Sequence, residues 1–478
     1  MSCVPGDRFP LEPGQDLTGL QATVMGLGRF SGGVETVRWL CTRGARVTVT
    51  DLAGEEALAR SLAEIADLDV RLRLGGHEER DFTGVDLVVA SPAVSPESPF
   101  LTAAAEAGVP LMTELSLTMA LLRCRTVFIT GTCGKSTTTA LLGRILGAGG
   151  VPCRVGGNIG RALLNDAEQM QPFETAVIEV SSFQLEWLAR DGIRPDLAIV
   201  TNVTPNHLDR HGTFERYLEA KAAVFPERGP TVLCADDPVS RERLAPRISA
   251  HLHWTSIQDE LEQGAFLSDG VAFRRFDGGQ EMLFAVGDLR LVGSFNWMNA
   301  LQASVAARLL GAPVEAARSA LVDFAGLPHR LASVGDRGGI RGVNDSKATT
   351  PEAAVRALTA LDPPLVLIAG GFERGAELGA FAAAIRERVK ALIVLGESSE
   401  RLAEAVTDYS GRIAGAGSIE EAVDLGLALA ERGDTLLLSP GHASWDMFST
   451  YEERGDRFTR RFLEARAPDA ARTPSPPR

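Results

Sequence analysis

Residues 130–137 read T-G-T-C-G-K-S-T, directly behind the apolar run Val127-Phe128-Ile129 and ahead of the helix-forming Thr138-Thr139-Ala140-Leu141-Leu142. A strand, a glycine turn closing on Lys-Ser and a helix make a cradle for phosphate. The glycines let backbone N–H groups face phosphate oxygens, the helix start adds positive dipole, Lys135 reaches the outer phosphates and the Ser136 hydroxyl can hold Mg²⁺. Gly131, Thr132, Gly134, Lys135, Ser136 and Thr137 are therefore the expected ATP contacts. The generic pattern G-x-x-x-x-G-K-[ST] would need Gly at position 129, where this chain has Ile, so the loop is a shortened form.

A strand-loop-helix of this kind needs a parallel sheet around it, and the rest of the chain supplies the material. With 478 residues it exceeds one core, and about three domains of roughly 100–200 residues are expected. Hydrophobic residues make up 45% and charged residues 23%, and 49 glycines punctuate short apolar runs, which points to an α/β protein. The net charge of −14 opposes a nucleic-acid partner, so any anionic substrate must be held by local cations. The six cysteines (Cys3, Cys41, Cys124, Cys133, Cys153, Cys234) show no metal-ligand spacing and read as reduced cytosolic thiols. The first twenty residues lack the pattern of a signal peptide, and no stretch approaches the roughly 20 apolar residues of a membrane helix.

From residue 21 the pattern A-T-V-M-G-L-G-R-F-S-G-G, a helix at 34–42 and a strand at 46–50 ending on Asp51 form a β-turn-α-β unit. Alternation continues to about 120, which predicts a Rossmann-like parallel sheet. A second α/β segment starts at the phosphate loop, with strands near 175–180, 197–201 and 231–234, and residues 254–292 carry the glycines and pattern of β-hairpins. After helices at 299–310 and 314–324, the segment Gly326-Leu327-Pro328-His329-Arg330 reads as a hinge. Strands at 339–344, 365–369, 392–395 and 435–438 then predict a third parallel-sheet domain, and the proline-rich 466–478 a disordered tail.

Chemistry-bearing residues cluster at the ends of these strands, where ligands of such sheets bind. Gly26-Leu27-Gly28 and Asp51 suggest a nucleotide-containing ligand, although the glycine spacing is irregular. In A-V-I-E-V-S-S-F-Q-L-E, Glu179 lies in an apolar strand, where a carboxylate is costly unless paired or bound to metal. If that strand neighbours the phosphate loop, Glu179 can share Mg²⁺ with Ser136. His207, Asp209 and His211 gather at another strand end, with Lys221 on the following helix. Asn344-Asp345-Ser346-Lys347-Ala348-Thr349 and the segment 439–446 are candidate binding loops of the third domain. These residues alone describe an ATP-dependent transferase or ligase.

Together the motifs T-G-T-C-G-K-S-T, G-G-N-I-G (156–160), I-E-V-S-S-F-Q-L-E (178–186), N-V-T-P-N-H-L-D-R-H (202–211), N-D-S-K-A-T (344–349) and S-P-G-H-A-S-W-D-M-F (439–448) resemble the Mur ligases of peptidoglycan synthesis, over roughly residues 20–465. The segments S-S-F-Q-L-E and N-D-S-K-A-T resemble the glutamate-adding members, and the D-N-P-R motif of the diaminopimelate-adding ones is absent. The resemblance implies three domains: 1–120 for the UDP end of the substrate, 121–327 a P-loop ATPase, and 328–465 Rossmann-like, closing on ATP and the amino acid. It implies addition of D-glutamate to UDP-N-acetylmuramoyl-L-alanine through an acyl phosphate, by a cytoplasmic monomer that neither enters a membrane nor binds nucleic acid.

Residue by residue, the resemblance carries over Gly28, Ser31 and Asp51 to the uridine part, and Lys135, Ser136 and Glu179 to phosphate and a first Mg²⁺. His207 and a carbamylated Lys221 match ligands of a second Mg²⁺. Asn158 and Ser181 match the acyl substrate, Asn296, Asn299, Arg330 and Asp345 the ATP, and Lys347, Thr349, Ser444 and Tyr451 the incoming glutamate. Arg374 stands where the family usually has a Lys for the glutamate side-chain carboxylate; it keeps the charge but changes length and shape. Cys133 and Gly441-His442 also depart from the family pattern. A ligase specific for L-glutamate, a folylpolyglutamate-synthase-like ligase, a nicotinamide-dependent dehydrogenase built on residues 26–33, and a nucleotide sensor without turnover are the competing readings. The intact set Lys135, Glu179, His207 and Lys221 argues against the sensor.

Overall fold

Short apolar runs separated by glycine turns fold here into three sheets, each covered by helices. The computed structural model describes residues 11–465 apart from 29, 30, 161, 249, 250, 292 and 374, and the side chains of Ser31 and Asp209 are likewise not described. The expected tail at 466–478 and Arg374 lie outside the described residues.

The first sheet contains β1 (Gln21–Met25), β2 (Arg46–Asp51), β3 (Val70–Leu74), β4 (Leu87–Ala90) and β5 (Leu111–Met112). Its order is β3-β2-β1-β4-β5 and every pairing is parallel. The order reverses beside β1, and the glycine turn Gly26–Gly28 follows that strand, at the switch point where such sheets bind ligands.

The second sheet contains β6 (Arg125–Thr130), β7 (Cys153–Gly157), β8 (Thr175–Glu179), β9 (Leu197–Val200), β10 (Thr231–Cys234), β11 (Leu252–Ser256), β12 (Gly264–Ser268), β13 (Val271–Phe276) and β14 (Gly279–Ala285). Its order is β14-β13-β12-β11-β10-β9-β6-β8-β7. β12, β13 and β14 pair antiparallel, as the glycine-rich pattern predicts, and the other pairings are parallel. The phosphate-loop strand β6 therefore lies between β9 and β8, whose ends carry the His207 segment and Glu179.

The third sheet contains β15 (Ala332–Arg337), β16 (Ile340–Asn344), β17 (Leu365–Ala369), β18 (Val389–Leu395), β19 (Arg412–Ala416) and β20 (Thr435–Leu438), in the order β15-β16-β20-β17-β18-β19. Only β15–β16 is antiparallel. The sequence reading missed β15 and β19. Both are edge strands with mostly exposed or half-exposed residues, so they lack the apolar run that betrays a central strand. By contrast β4, β8, β9, β10, β17 and β20 are buried at every residue, because helices cover both faces.

The chain divides into two packed units, Met1–Asp288 with Met298–Val322 and Leu289–Trp297 with Asp323–Arg478. The first holds the first two sheets. The change expected near 120 is a change of sheet without a break in packing, since one hydrophobic cluster runs from Leu11 through Leu121 to Leu244. Ser116 Oγ donates to Asp191 Oδ2 at 2.8 Å, and Arg43 pairs with Glu168 at 2.8 Å across the same junction. Among the described residues no helix is long and apolar enough to cross a membrane, and Cys41, Cys124, Cys133, Cys153 and Cys234 are free thiols.

Candidate active site

The phosphate loop is built by close backbone approach. Gly131 (φ 144°) and Gly134 (φ 82°) occupy left-handed or extended-positive conformations, and a Cβ at either would strike Thr201 Oγ1 or Asn299 Oδ1. Lys135, the first residue of the helix Lys135–Ala148, turns back so that Nζ donates to Gly131 O at 3.0 Å and Thr132 O at 2.9 Å. Ser136 is only 1% exposed in the same first turn. Asn299 accepts from Thr138 Oγ1 at 3.3 Å, in the first turns of the helix behind the loop. Asn296 is buried three residues earlier in the helix Phe295–Leu309.

Two residues that hold the loop were not singled out from sequence. Asn202 clamps Cys133, accepting from its N–H at 3.1 Å and donating Nδ2 to its carbonyl at 3.1 Å. Thr201 Oγ1 donates to the same carbonyl at 2.5 Å, and Asn202 O accepts from Thr132 N at 2.9 Å. Cys133 thus serves through its backbone, which explains how the position can depart from the family pattern. Asn202→Ala is expected to raise the KM for ATP about tenfold and lower the melting temperature, because an unmatched buried N–H costs about 1–3 kcal/mol. A KM within about twofold of the parent would remove this clamp from the account.

Glu179 ends β8 in register with Ile129 of the phosphate-loop strand and is 1% exposed. Its Oε1 accepts from Asn158 Nδ2 at 2.9 Å, while Oε2 is buried with no hydrogen-bond partner among the described residues. An orphaned, buried carboxylate oxygen suits a hard cation, which takes oxygen ligands. Asn158, expected at the acyl substrate, is thereby engaged with Glu179. Gly157 (φ 96°) makes this possible, since a Cβ there would strike the Glu179 backbone.

Lys221, on the helix Phe214–Ala222, is 1% exposed, and its Nζ donates to Gly131 O at 2.7 Å and Thr130 Oγ1 at 3.0 Å. Burial first, and then the Lys135 charge, push its pKa well below the ordinary lysine value against the pull of Glu179. Burial and the neighbouring ammonium thus both weigh against the charged form of this amine.

The histidine cluster divides. His207 is left-handed (φ 53°) at the start of Leu208–His211, its ring 5.2 Å from that of Phe183. His211 is a structural tie: Nε2 meets Ser182 Oγ at 3.0 Å and Nδ1 meets Glu186 at 3.0 Å. The Asp209 side chain lies outside the described residues. Ser181 caps the helix Ser182–Arg190 in a capping box with Gln184, so its hydroxyl already has a structural task. Among the described residues no group of three or more His, Cys, Asp or Glu could hold a metal, so a cation at Glu179 must take further ligands from other groups.

At the first sheet, Asp51 accepts from Gly28 N at 3.1 Å and Ala53 N at 2.9 Å, shaping the turn expected to meet the nucleotide. Gly33 lets the helix pack directly on Leu27 O. The Ser31 side chain lies outside the described residues. His77, missed in sequence, stands beside this turn, with Nδ1 2.5 Å from Thr50 Oγ1 and its ring against Phe82 and Phe100.

In the second unit, Asp345 follows β16, and burial pushes its carboxyl up to about 7. It accepts from Leu331 N at 3.1 Å and Ser439 Oγ at 2.9 Å. Lys347 donates to Tyr451 OH at 2.9 Å, and Ser444 is buried nearby in sequence to Asp446, whose carboxylate accepts from Glu397 N at 2.9 Å. Thr349 is half-buried. Arg454, also missed, is fully buried and donates to Ser346 O at 2.8 Å and His442 O at 3.2 Å, tying the two candidate loops together. Gly441 is left-handed (φ 66°), and a Cβ there would meet the Phe381 ring, which accounts for glycine at that position. His442 Nδ1 meets Pro440 O at 3.1 Å.

Comparison with known proteins adds a family to this geometry. Residues 20–113 match the Mur ligase MurD-like N-terminal domain, 129–307 the Mur ligase middle domain, and 329–442 the Mur ligase glutamate ligase domain. The chain is 41% identical over 446 residues to a UDP-N-acetylmuramoylalanine–D-glutamate ligase of Geobacter metallireducens, covering 93% of this chain and 97% of that protein. A ligase of the same name from Symbiobacterium thermophilum is 40% identical, covering 92% and 96%. Among solved structures, UDP-N-acetylmuramate–alanine ligase MurC of Thermotoga maritima shares the fold at a TM-score of 0.60 and 18% identity, covering 93% of this chain and 99% of that one. MurF ligase of Thermotoga maritima in complex with ADP does so at 0.56 and 18%, covering 88% and 95%. Matched in three successive segments and aligned nearly end to end with such relatives, the chain belongs to the Mur ligase family.

Proposed function

We propose that this chain is an ATP-dependent amide ligase that joins D-glutamate to UDP-N-acetylmuramoyl-L-alanine in the cytoplasm, working as a monomer. The relatives at 41% and 40% identity carry the name of that ligase. The observation that carries the chemistry is the set of groups around one phosphate loop: the Lys135 ammonium, the orphaned Glu179 oxygen and the buried Lys221 amine. The limits 1–120, 121–327 and 328–465 belong to the same reading, supported by the changes of sheet between Met112 and Arg125 and between Ala285 and Ala332.

In this reading Gly131, Thr132, Gly134, Lys135, Ser136 and Thr137 hold the phosphates of ATP, with Asn296, Asn299 and Arg330. Ser136 and Glu179 would hold one Mg²⁺, and His207 with Lys221 a second; the ions supply charge neutralisation of the transferring phosphoryl group. As an ammonium Lys221 would repel a cation, and as a neutral amine it would offer a nitrogen where a hard cation takes oxygen. After addition of CO₂ its carbamate would offer anionic oxygens, and the lowered basicity of the amine favours that addition.

The substrate carboxylate attacks the γ-phosphorus, anion on anion, and the acyl phosphate forms as the bond to the bridging oxygen breaks and ADP leaves. At about 4 Å each pair of unit charges costs roughly 1 kcal/mol in water and about 4 kcal/mol at an effective dielectric of 20, so cations must offset the repulsion. Lys135 and Arg330 do so. The amine of glutamate then displaces phosphate from the acyl phosphate, forming the amide. Lys347, Thr349, Ser444 and Tyr451 would seat the glutamate, with Arg374 gripping its side-chain carboxylate. Gly28, Ser31 and Asp51 would hold the uridine end. Asn158 and Ser181 border the acyl substrate while keeping Glu179 and Gln184 as partners.

Phosphate release with ATP, Mg²⁺ and UDP-N-acetylmuramoyl-L-alanine, run with D-glutamate, L-glutamate or no amino acid, tests this. Release that requires D-glutamate is expected. Release that requires L-glutamate would move the specificity, with Arg374 the first residue to examine, and no release with either would sink the reading.

A further inference from the structure

Arg330 sits between two strained residues. Of the four described non-glycine residues with positive φ, His329 (61°) and Leu331 (47°) flank it directly. Such conformations persist only where neighbouring groups hold them. The groups that do so here are visible. Asp345 Oδ1 accepts from Leu331 N at 3.1 Å, and Lys347 N donates to His329 O at 3.1 Å. Asn344 Nδ2 lies 3.2 Å from His329 Nδ1, and Gly455 leaves the space that this imidazole fills, since a Cβ there would strike Nδ1. The other oxygen of Asp345 accepts from Ser439 Oγ at 2.9 Å, and Asp345 N donates to Leu438 O at 2.7 Å, so the carboxylate is fixed between β16 and β20. Both oxygens of Asp345 are thus already engaged by this chain.

We propose that Asp345 serves the reaction as a positioning residue: it holds Leu331 in the left-handed conformation and so fixes the direction of the Arg330 guanidinium. This rests on the ligase reading, in which Arg330 offsets charge on the transferring phosphoryl group. It is a role apart from the ATP contact expected of Asp345, whose oxygens each keep a second lone pair. A guanidinium carried by a short strap between two left-handed residues loses its aim when either relaxes, and its contribution lies in the transition state.

The test is a pair of variants read by kcat and KM. Asp345→Ala is expected to lower kcat about 10²-fold or more while leaving the KM for ATP within about threefold. Adding Leu331→Gly to Asp345→Ala should restore kcat about tenfold, because glycine adopts the left-handed conformation without the carboxylate. Asp345→Asn, which keeps an acceptor for Leu331 N and guards against a folding failure, should lose less than Asp345→Ala. A raised KM for ATP with kcat retained, or no restoration by Leu331→Gly, would overturn the proposal. Hydrogen exchange at the Leu331 amide separates this from the ligase reading: faster exchange in Asp345→Ala is expected whatever the turnover, and unchanged exchange would overturn the hold. An inactive parent enzyme would instead count against the ligase reading.

Discussion

Lys135→Ala is expected to lower ATP-dependent phosphate release by about 10³-fold, with the melting temperature nearly unchanged. The side chain is half-buried, and its Nζ donates to the loop carbonyls Gly131 O and Thr132 O. Its loss leaves the glycines, Asn202 and Thr201 to keep the loop in shape. What disappears is a charged donor at the place where charge accumulates in phosphoryl transfer. Removing one such donor commonly costs about 10²–10³ in kcat, and a cation on a transferring phosphoryl group about 10³–10⁵. Single-turnover phosphate release measures this directly. A rate within about tenfold of the parent would detach the loop from the chemistry.

Lys221→Ala is expected to lower kcat about 10²-fold or more, with partial recovery in short carboxylates such as acetate. The residue is fully buried in the first unit, and its Nζ donates to Gly131 O and Thr130 Oγ1. Burial of a charge next to the Lys135 ammonium is unfavourable, and the pKa is lowered accordingly. In the proposed reading a neutral amine would add CO₂, and the carbamate would offer oxygen atoms to a cation. Alanine leaves a space in which a small carboxylate can supply the same atoms. Recovery by acetate but not by methylamine identifies the missing group as an anion. Recovery by methylamine would mean that the amine itself is used, and the carbamate would be withdrawn.

The sequence was most legible where glycine chemistry and apolar runs coincide. The strand, short loop and helix around Lys135 could be read because Gly131 and Gly134 have no substitute at those conformations. The place of Glu179 beside the loop followed once β8 proved to neighbour β6, a pairing that local pattern cannot specify because parallel strands are joined by long crossovers. Edge strands β15 and β19 escaped because solvent on one side removes the apolar signal. Asn202 and Arg454 escaped for a different reason. Each acts through backbone groups distant in sequence, Cys133 for the first and Ser346, His442 and Ala443 for the second. His211 drew attention as part of a polar cluster at a strand end, and the structure places its ring against Ser182 and Glu186, partners that the sequence spacing does not reveal.

The central claim is that the substrate carboxylate is activated by phosphoryl transfer from ATP. In that route one carboxylate oxygen bonds to the γ-phosphorus and leaves with phosphate when the amine of D-glutamate forms the amide. UDP-N-acetylmuramoyl-L-alanine labelled with ¹⁸O in its carboxyl group should therefore yield phosphate carrying one ¹⁸O atom per turnover, read by mass spectrometry. Unlabelled phosphate formed in step with the amide product would contradict the account.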